Sequence, residues 1–160
     1  MREFSKVSPA LWGSERFTAL PSDDARFVYL YLLTCEHQTS AGAFKLKDGY
    51  ATDDLKWEAS RYHTARQQLV QADLIHLDET ASVILITRWF KHNPPMNESH
   101  FRGIAKVIQK LPSITLASEA QVELQQAFDA VQLARATAKA AAGMSDLSPA
   151  MKAKAGNWRV

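Results

Sequence analysis

A run of polar side chains with almost no negative charge lies between residues 60 and 71. Apolar or small residues recur along it at the spacing that lines the buried face of a helix: Tyr62, Ala65, Leu69 and Ala72. The opposite face carries Arg61, Thr64, Gln67, Gln68 and Gln71. Long donors and acceptors of this kind suit phosphate oxygens and base edges. The pattern predicts a helix, N-capped by Ser60, whose outward face binds a polyanion.

The candidate DNA-binding residues are ranked by their place on this helix. Arg61 and Thr64 lie near its N-terminus, the end that contacts base edges in the major groove, and Gln67 and Gln68 lie further along. Basic and hydroxyl side chains complete the candidate set: Lys45, Lys47, Lys56, Ser60 and Lys91. For Arg66 we expect an aliphatic stem on the core and a guanidinium at the surface.

Two observations count against DNA binding. The polar face has a simpler explanation as a solvated surface or as part of a winged helix used only for protein contacts, although we favour DNA contact. Asp78 and Glu79, at the tip of a predicted hairpin, would be repelled by phosphate.

Residues that could bind a metal or catalyse a reaction do not form a recognisable motif. The five histidines lack metal-ligand spacing, and Cys35 with His37 is half of a site. The acidic pairs at residues 23–24 and 53–54 fit the first turns of helices, where carboxylates oppose the helix dipole. Glycine-rich phosphate loops and nucleophile elbows are absent from the sequence. We therefore predict no metal, no cofactor and no enzymatic activity.

The segments around residues 60–72 predict a winged helix-turn-helix. Residues 74–78 and 83–86 read as two strands joined by a turn at 79–82, which makes a hairpin, or wing. Residues 43–46 are predicted to pair with it as a third strand. A short helix at 49–55 and a turn at 56–59 would precede the recognition helix. The predicted fold is mainly α with a small sheet and a C-terminal helical extension.

The N-terminal third should supply the core. Residues 3–7 are predicted to form a short strand. A helical stretch that begins at Pro9 is predicted to bury one side, which carries Leu11, Trp12, Phe17 and Leu20. Ser22 should cap a helix over 23–35. Its run at 27–33 is apolar nearly all round, which predicts a central buried helix.

Beyond the wing the chain changes character. Pro94 and Pro95 predict that residues 88–95 are extended and close the first domain, residues 1–93. A helical extension, 94–142, would contain a helix capped by Asn97 and a long alanine-rich helix over 118–142. Its narrow apolar stripe should pack on the domain or on a second copy, making a homo-oligomer. Residues 143–160 are predicted to be a flexible basic tail.

Composition narrows the class of protein. A chain of 160 residues with 46% hydrophobic content can form one globular domain with an appendage. One cysteine, no apolar run near the roughly 20 residues of a membrane span and a charged N-terminus together predict a cytoplasmic protein that does not interact with membranes. The net charge of +2 is compatible with nucleic-acid binding. Basic residues outnumber acidic ones at 88–110 and from 135 onward.

Four segments resemble a known family: SPALWGSERFTALPSDDARFVYLYLLTCEH, GAFKLKDGYATDDLKW, ARQQLVQADLIHLDETASVILITRWFKHNPPMN and GIAKVIQKLPS. Together, over about residues 4–115, they resemble phage replication-initiation proteins with an N-terminal winged helix, which are similar in style to DnaD-like primosome proteins. The resemblance implies a phage or prophage origin, binding to double-stranded DNA near a replication origin, self-association, and a replicative helicase or another primosome protein as partner. Longer relatives carry a second domain, which this chain replaces with its alanine-rich helix and tail.

Two other functions remain open. A transcriptional regulator would use the same DNA-binding surface. A protein-interaction adaptor would instead use the wing and residues 89–95 to bind a host or phage protein.

Overall fold

The computed structural model describes residues 5–145, which are mainly α-helical with one small antiparallel sheet. The helices are α1 (Glu15–Thr18), α2 (Asp23–Thr34), α3 (Asp48–Leu55), α4 (Ala59–Gln71), α5 (Trp89–His92), α6 (Glu98–Ile108) and α7 (Ile114–Ser145). The strands are β1 (Ala43–Lys45), β2 (Ile75–Asp78) and β3 (Val83–Ile86), and a 3₁₀ helix covers Pro9–Gly13. The predicted fold class is confirmed.

The sheet has the strand order β1-β3-β2 and is antiparallel throughout. The β2–β3 hairpin pairs Ile75 with Ile86, and β1 pairs Phe44 with Ile84. All four residues of β3 are buried, as expected for the central strand of a covered sheet. The hairpin and its pairing with the first strand were both predicted correctly.

Helices α2, α3 and α4, followed by the hairpin, form a winged helix-turn-helix. Lys56 ends α3 in the left-handed conformation (φ 56°), which turns the chain into α4. Tyr62, Ala65 and Leu69 of α4 are buried, and α4 packs on α2. The three-and-four periodicity of this segment therefore identified the correct buried face.

Helix α2 is only partly surrounded by the core. The Ser22 hydroxyl accepts a hydrogen bond from the Ala25 amide at 3.1 Å, so the predicted cap is confirmed. Val28 and Leu32 are fully buried, but Phe27 is 55% exposed. The prediction that this helix is buried all round is wrong, because one side of it faces solvent and Phe27 stacks there on Trp57.

The N-terminal segment is more broken than predicted. The helical stretch divides at Ser14 into the 3₁₀ helix and α1, so that Phe17 and Leu20 are buried whereas Trp12 is exposed. Residues 5–7 are not part of a strand, and residues 3 and 4 of the predicted strand lie outside the described residues.

The segment that was predicted to be extended contains a helical turn, α5. Trp89 and Phe90 are buried, and the Trp89 indole N–H donates to the carbonyl of Ser40 at 2.9 Å. Proline restricts the residue that precedes it, here Asn93, and the helical turn ends just before that position. The extended prediction for 88–95 is wrong at α5, where the burial of Trp89 and Phe90 stabilises a helical turn that ends before Pro94.

The helices after α5 begin at identifiable caps. Asn97 caps α6 through the His100 amide at 2.8 Å, as predicted. Helix α7 begins at Ile114 rather than at residue 118, because Ser113 caps it through the Leu116 amide at 3.3 Å. It also continues to Ser145, beyond the predicted end at 142. Residues 146–160 of the predicted tail lie outside the described residues.

The first half of α7 completes the hydrophobic core. Leu116, Ala120 and Leu124 belong to the same buried cluster as the sheet, and Phe128 packs on Phe101 with ring centroids 4.6 Å apart. Over 129–142, in contrast, every side chain is exposed except the half-buried Val131. Among residues 5–145, no helix combines the length and apolar character needed to cross a bilayer.

Candidate nucleic-acid interface

The outward face of α4 is open to solvent in the structure of residues 5–145. Its exposed side chains are Ser60, Arg61, Thr64, Gln67 and Gln71. Helix α7 packs on α5, α6 and the sheet, so its ordered contacts lie elsewhere. The predicted N-cap is wrong by two residues: α4 begins at Ala59, and its N-cap, Glu58, makes no side-chain cap hydrogen bond.

Arg61, the leading candidate for base contact, is held by an acidic partner. Its Nε and Nη2 donate to the two carboxylate oxygens of Asp24 at 2.7 and 2.6 Å, a forked contact between α4 and α2. The hydrogen bond from Arg61 lowers the pKa of Asp24, and the same contact raises the pKa of Arg61. The pair is on the surface, where ion pairs are weak and exchangeable.

An aromatic stack supports the Arg61 side chain. Its guanidinium carbon lies 3.8 Å from the ring centroid of Trp57, a cation–π contact. Trp57 in turn stacks on Phe27, with centroids 5.7 Å apart. The Trp57 ring and the Asp24 carboxylate together therefore orient the Arg61 guanidinium. Trp57 is half-buried, so it is part of the surface that presents Arg61 rather than of the interior.

Two other candidates on α4 have structural contacts. The Oε1 atom of Gln68 accepts a hydrogen bond from the Ser22 hydroxyl, which is also the cap of α2. The Thr64 hydroxyl donates to the Ser60 carbonyl one turn earlier, at 2.9 Å. Gln67 is exposed, and its side chain makes no hydrogen bond with the described residues. Gln68 is therefore the candidate that is most engaged in holding the fold together.

The candidate lysines lie on several elements. Lys45 ends β1 and Lys47 is the N-cap of α3; both are exposed and neither forms an ion pair within the described residues. Lys56 pairs with Asp53 at 3.0 Å in a highly exposed contact. Lys91 lies on α5, which packs on α7, so it is positioned by the C-terminal helix rather than by α3 or α4.

Arg66 is more deeply buried than predicted. Its side chain is only 8% exposed, so the guanidinium does not reach the surface as expected. It donates to Asp48 and, at 3.3 Å, to Glu79, while His63 lies 2.7 Å from the other oxygen of Asp48. These side chains line a cleft of about 420 Å³ between α4 and the wing. The Arg66 Nε atom is buried without a hydrogen-bond partner.

The acidic residues at the wing tip have structural partners. Asp78 accepts a hydrogen bond from the Ala81 amide at 2.9 Å, which lowers the pKa of its carboxyl. Glu79 turns back toward Arg66. Both carboxylates therefore stabilise the turn, although their charges still oppose phosphate at this position.

A second polar cluster joins α7 to the winged helix. His76 of β2 lies between Glu119, at 2.7 Å, and Asp73, at 2.9 Å, and hydrogen bonding to Glu119 raises the pKa of His76. Glu123 accepts a hydrogen bond from the Phe90 amide at 2.9 Å, and burial raises the pKa of its carboxyl. These contacts fix the position of α7 on the domain.

No group of three or more metal-ligating side chains forms a candidate metal site within residues 5–145.

Comparisons with protein-family models, with curated proteins and with solved structures found no match to this chain. The interface is therefore defined by its geometry alone.

Sequence reasoning missed the partner of Arg61 and the two polar clusters. Asp24 was assigned to the first turn of α2, where it indeed lies, but its contact is 37 positions further along the chain. A local pattern contains no signal for such a pair. The sequence does place Trp57 four residues before Arg61, a spacing that is compatible with the cation–π contact between them.

Proposed function

We propose that this protein is a non-enzymatic duplex DNA-binding protein that uses the outward face of α4. The observation that supports the proposal most strongly is the exposure of that face on the second helix of a helix-turn-helix. Gln67 and Gln71 are exposed there and make no hydrogen bonds to described side chains, so their amide groups are available to base edges or phosphates.

Cations next to this face supply phosphate contacts. Lys45 and Lys47 are exposed and form no ion pairs within the described residues. Lys56 and Arg61 are paired, but exposed ion pairs are weak and can exchange for a phosphate or a base. Binding through these side chains would release counterions and would therefore weaken as salt increases.

Fluorescence anisotropy of the full chain with a random-sequence duplex, at several salt concentrations, tests the proposal. We expect saturable binding that falls steeply between about 50 and 200 mM salt. Gln67→Ala/Gln71→Ala should weaken binding to a site selected from a random library, because both amides are lost without loss of a fold contact. Gln132→Ala, an exposed glutamine on α7, is the matched control. Absence of saturable binding by the folded protein would exclude the proposal.

The biological role proposed is replication of a phage or prophage in the cytoplasm of a bacterial host. This role rests on the resemblance of residues 4–115 to phage replication-initiation proteins. The proposed partners are a replicative helicase or another primosome protein, and a second copy of this chain. A transcriptional regulator would bind DNA in the same way. Sequencing of the fragments of phage genome retained by the protein distinguishes the two roles, since one predicts an origin and the other a promoter.

A second candidate function is protein docking. The acidic side chains Asp53, Asp54 and Glu58 are exposed around the start of α4, where phosphate would be repelled. Phe27 and Tyr50 are also exposed, at 55% and 56%. An adaptor would show no saturable duplex binding, and Tyr50→Ala would weaken its complex with a purified helicase or primosome protein.

A further inference from the structure

Resting on the proposed function, we propose that Asp24 is a specificity-determining residue that occupies the guanidinium fork of Arg61 until a guanine edge replaces it. In the free protein the carboxylate takes the place of the base. In the complex, Arg61 would contact guanine O6 and N7, and Asp24 would be released.

The geometry of the Arg61 fork supports this exchange. Both Nε and Nη2 are used, each on a different oxygen of Asp24, at 2.7 and 2.6 Å. A guanine edge in the major groove also presents two acceptors side by side, and arginine binds it in the same forked manner. The carboxylate therefore has the acceptor pattern of the proposed ligand.

The aromatic stack keeps the fork in place during the exchange. Trp57 contacts the guanidinium at 3.8 Å and is itself supported by Phe27. Because the stack does not depend on Asp24, Arg61 would remain oriented after the carboxylate leaves. A preorganised guanidinium loses little conformational entropy on binding.

The competition should discriminate between sequences. A ligand that offers one acceptor cannot replace the two hydrogen bonds that Arg61 already makes, so Asp24 would stay in the fork. A guanine edge replaces both bonds. The Arg61 and Asp24 side chains are 51% and 38% exposed, so water and ligand can reach the pair and the exchange requires no unfolding.

The test compares Asp24→Asn with Asp23→Asn in the full chain. Asp23 is the neighbouring carboxylate, 94% exposed and paired with Arg26, so it is matched in charge and in position along α2. We expect Asp24→Asn to raise the affinity for random-sequence duplex about two- to fivefold more than Asp23→Asn does. Asp24→Asn should also reduce the ratio of the affinity for the selected site to the affinity for random sequence. In an Arg61→Ala background the two variants should be equivalent.

The ligand is identified by replacing guanines of the selected site with 7-deazaguanine, one at a time. At the guanine that Arg61 contacts, the loss of the N7 acceptor should leave Arg61→Ala with no further effect on duplex affinity. If no position does so, the guanine assignment is wrong. If wild type binds duplex but Asp24→Asn and Asp23→Asn behave alike, the exchange is refuted and DNA binding stands. If the folded wild type binds no duplex, both proposals fail.

Discussion

Arg66 of α4 donates from Nη1 to Oδ1 of Asp48, the first residue of α3, so a buried guanidinium joins the two helices of the helix-turn-helix. Arg66 is buried and paired with Asp48, whereas Arg61, five residues earlier, lies on the surface. The two arginines of α4 thus have different roles. One holds the scaffold and the other faces outward.

Removing the acidic partner of Arg66 should destabilise the fold. Asp48→Ala removes the closest acidic partner of a buried guanidinium and leaves it the 3.3 Å ion pair with Glu79, and we expect the free energy of unfolding to fall by about 1–3 kcal/mol. Asp53→Ala removes an exposed partner of Lys56 and should change it by about 0–1 kcal/mol. Urea denaturation followed by circular dichroism measures both. Equal effects would show that the buried contact adds nothing.

The cluster around His76 should make stability depend on pH. Hydrogen bonds to Glu119 and Asp73 raise the pKa of His76 above its ordinary value of 6.5, while Arg16 and Arg88 act on Asp73. The stabilisation is fully present below pH 6.5 and is lost as pH rises through the folded-state pKa. His76→Gln should therefore be less stable than wild type at low pH, by about 1 kcal/mol or less, since the group is partly exposed.

Denaturation curves from about pH 5.5 to 9 check this dependence. The difference between wild type and His76→Gln should shrink as pH increases. Glu119→Gln, which removes the main partner, should flatten the profile in the same way. A difference that grows with pH would contradict the prediction.

Gly42 should tolerate no side chain. Its φ of +65° favours glycine, and a Cβ there would lie 2.2 Å from Cγ of Trp89. Gly42→Ala should lower the free energy of unfolding by at least about 2 kcal/mol, combining backbone strain and overpacking. Gly103→Ala, in an open position on α6, should be neutral or stabilising by up to about 1 kcal/mol. Thermal or urea unfolding distinguishes the two variants.

The lysines beside α4 should set the salt dependence of DNA binding. If Lys45 and Lys47 contact phosphates, Lys45→Ala and Lys47→Ala should each reduce the slope of log affinity against log salt by about 1, on any duplex sequence. Lys139→Ala, on the exposed part of α7, serves as the charge-matched control and should leave the slope unchanged. A slope that responds equally to all three would indicate general electrostatics rather than a defined interface.

The elements that sequence could predict are those with a local physical cause. The periodicity of Tyr62, Ala65 and Leu69 gave the buried face of α4, and the caps at Ser22 and Asn97 gave two helix starts. Their signals lie within one or two turns of the chain.

Two features that the sequence did not predict depend on distant contacts. The helical turn α5 exists because the Trp89 indole binds the Ser40 carbonyl, 49 positions away. Arg61 faces Asp24 across two helices, and no spacing rule connects them. The local pattern predicts the polar face of α4, whereas the ion pair that holds Arg61 depends on how α2 and α4 pack.

The outer half of α7 also sets a length. Residues 129–145 form about 17 helical positions beyond Phe128, which is the last buried side chain of this helix up to residue 142. These positions correspond to about 25 Å. A helix is a stiff rod on this scale. A molecule gripping its far end would be held at a defined distance from the sheet, so that shortening the rod by two turns should draw that molecule closer by about 11 Å.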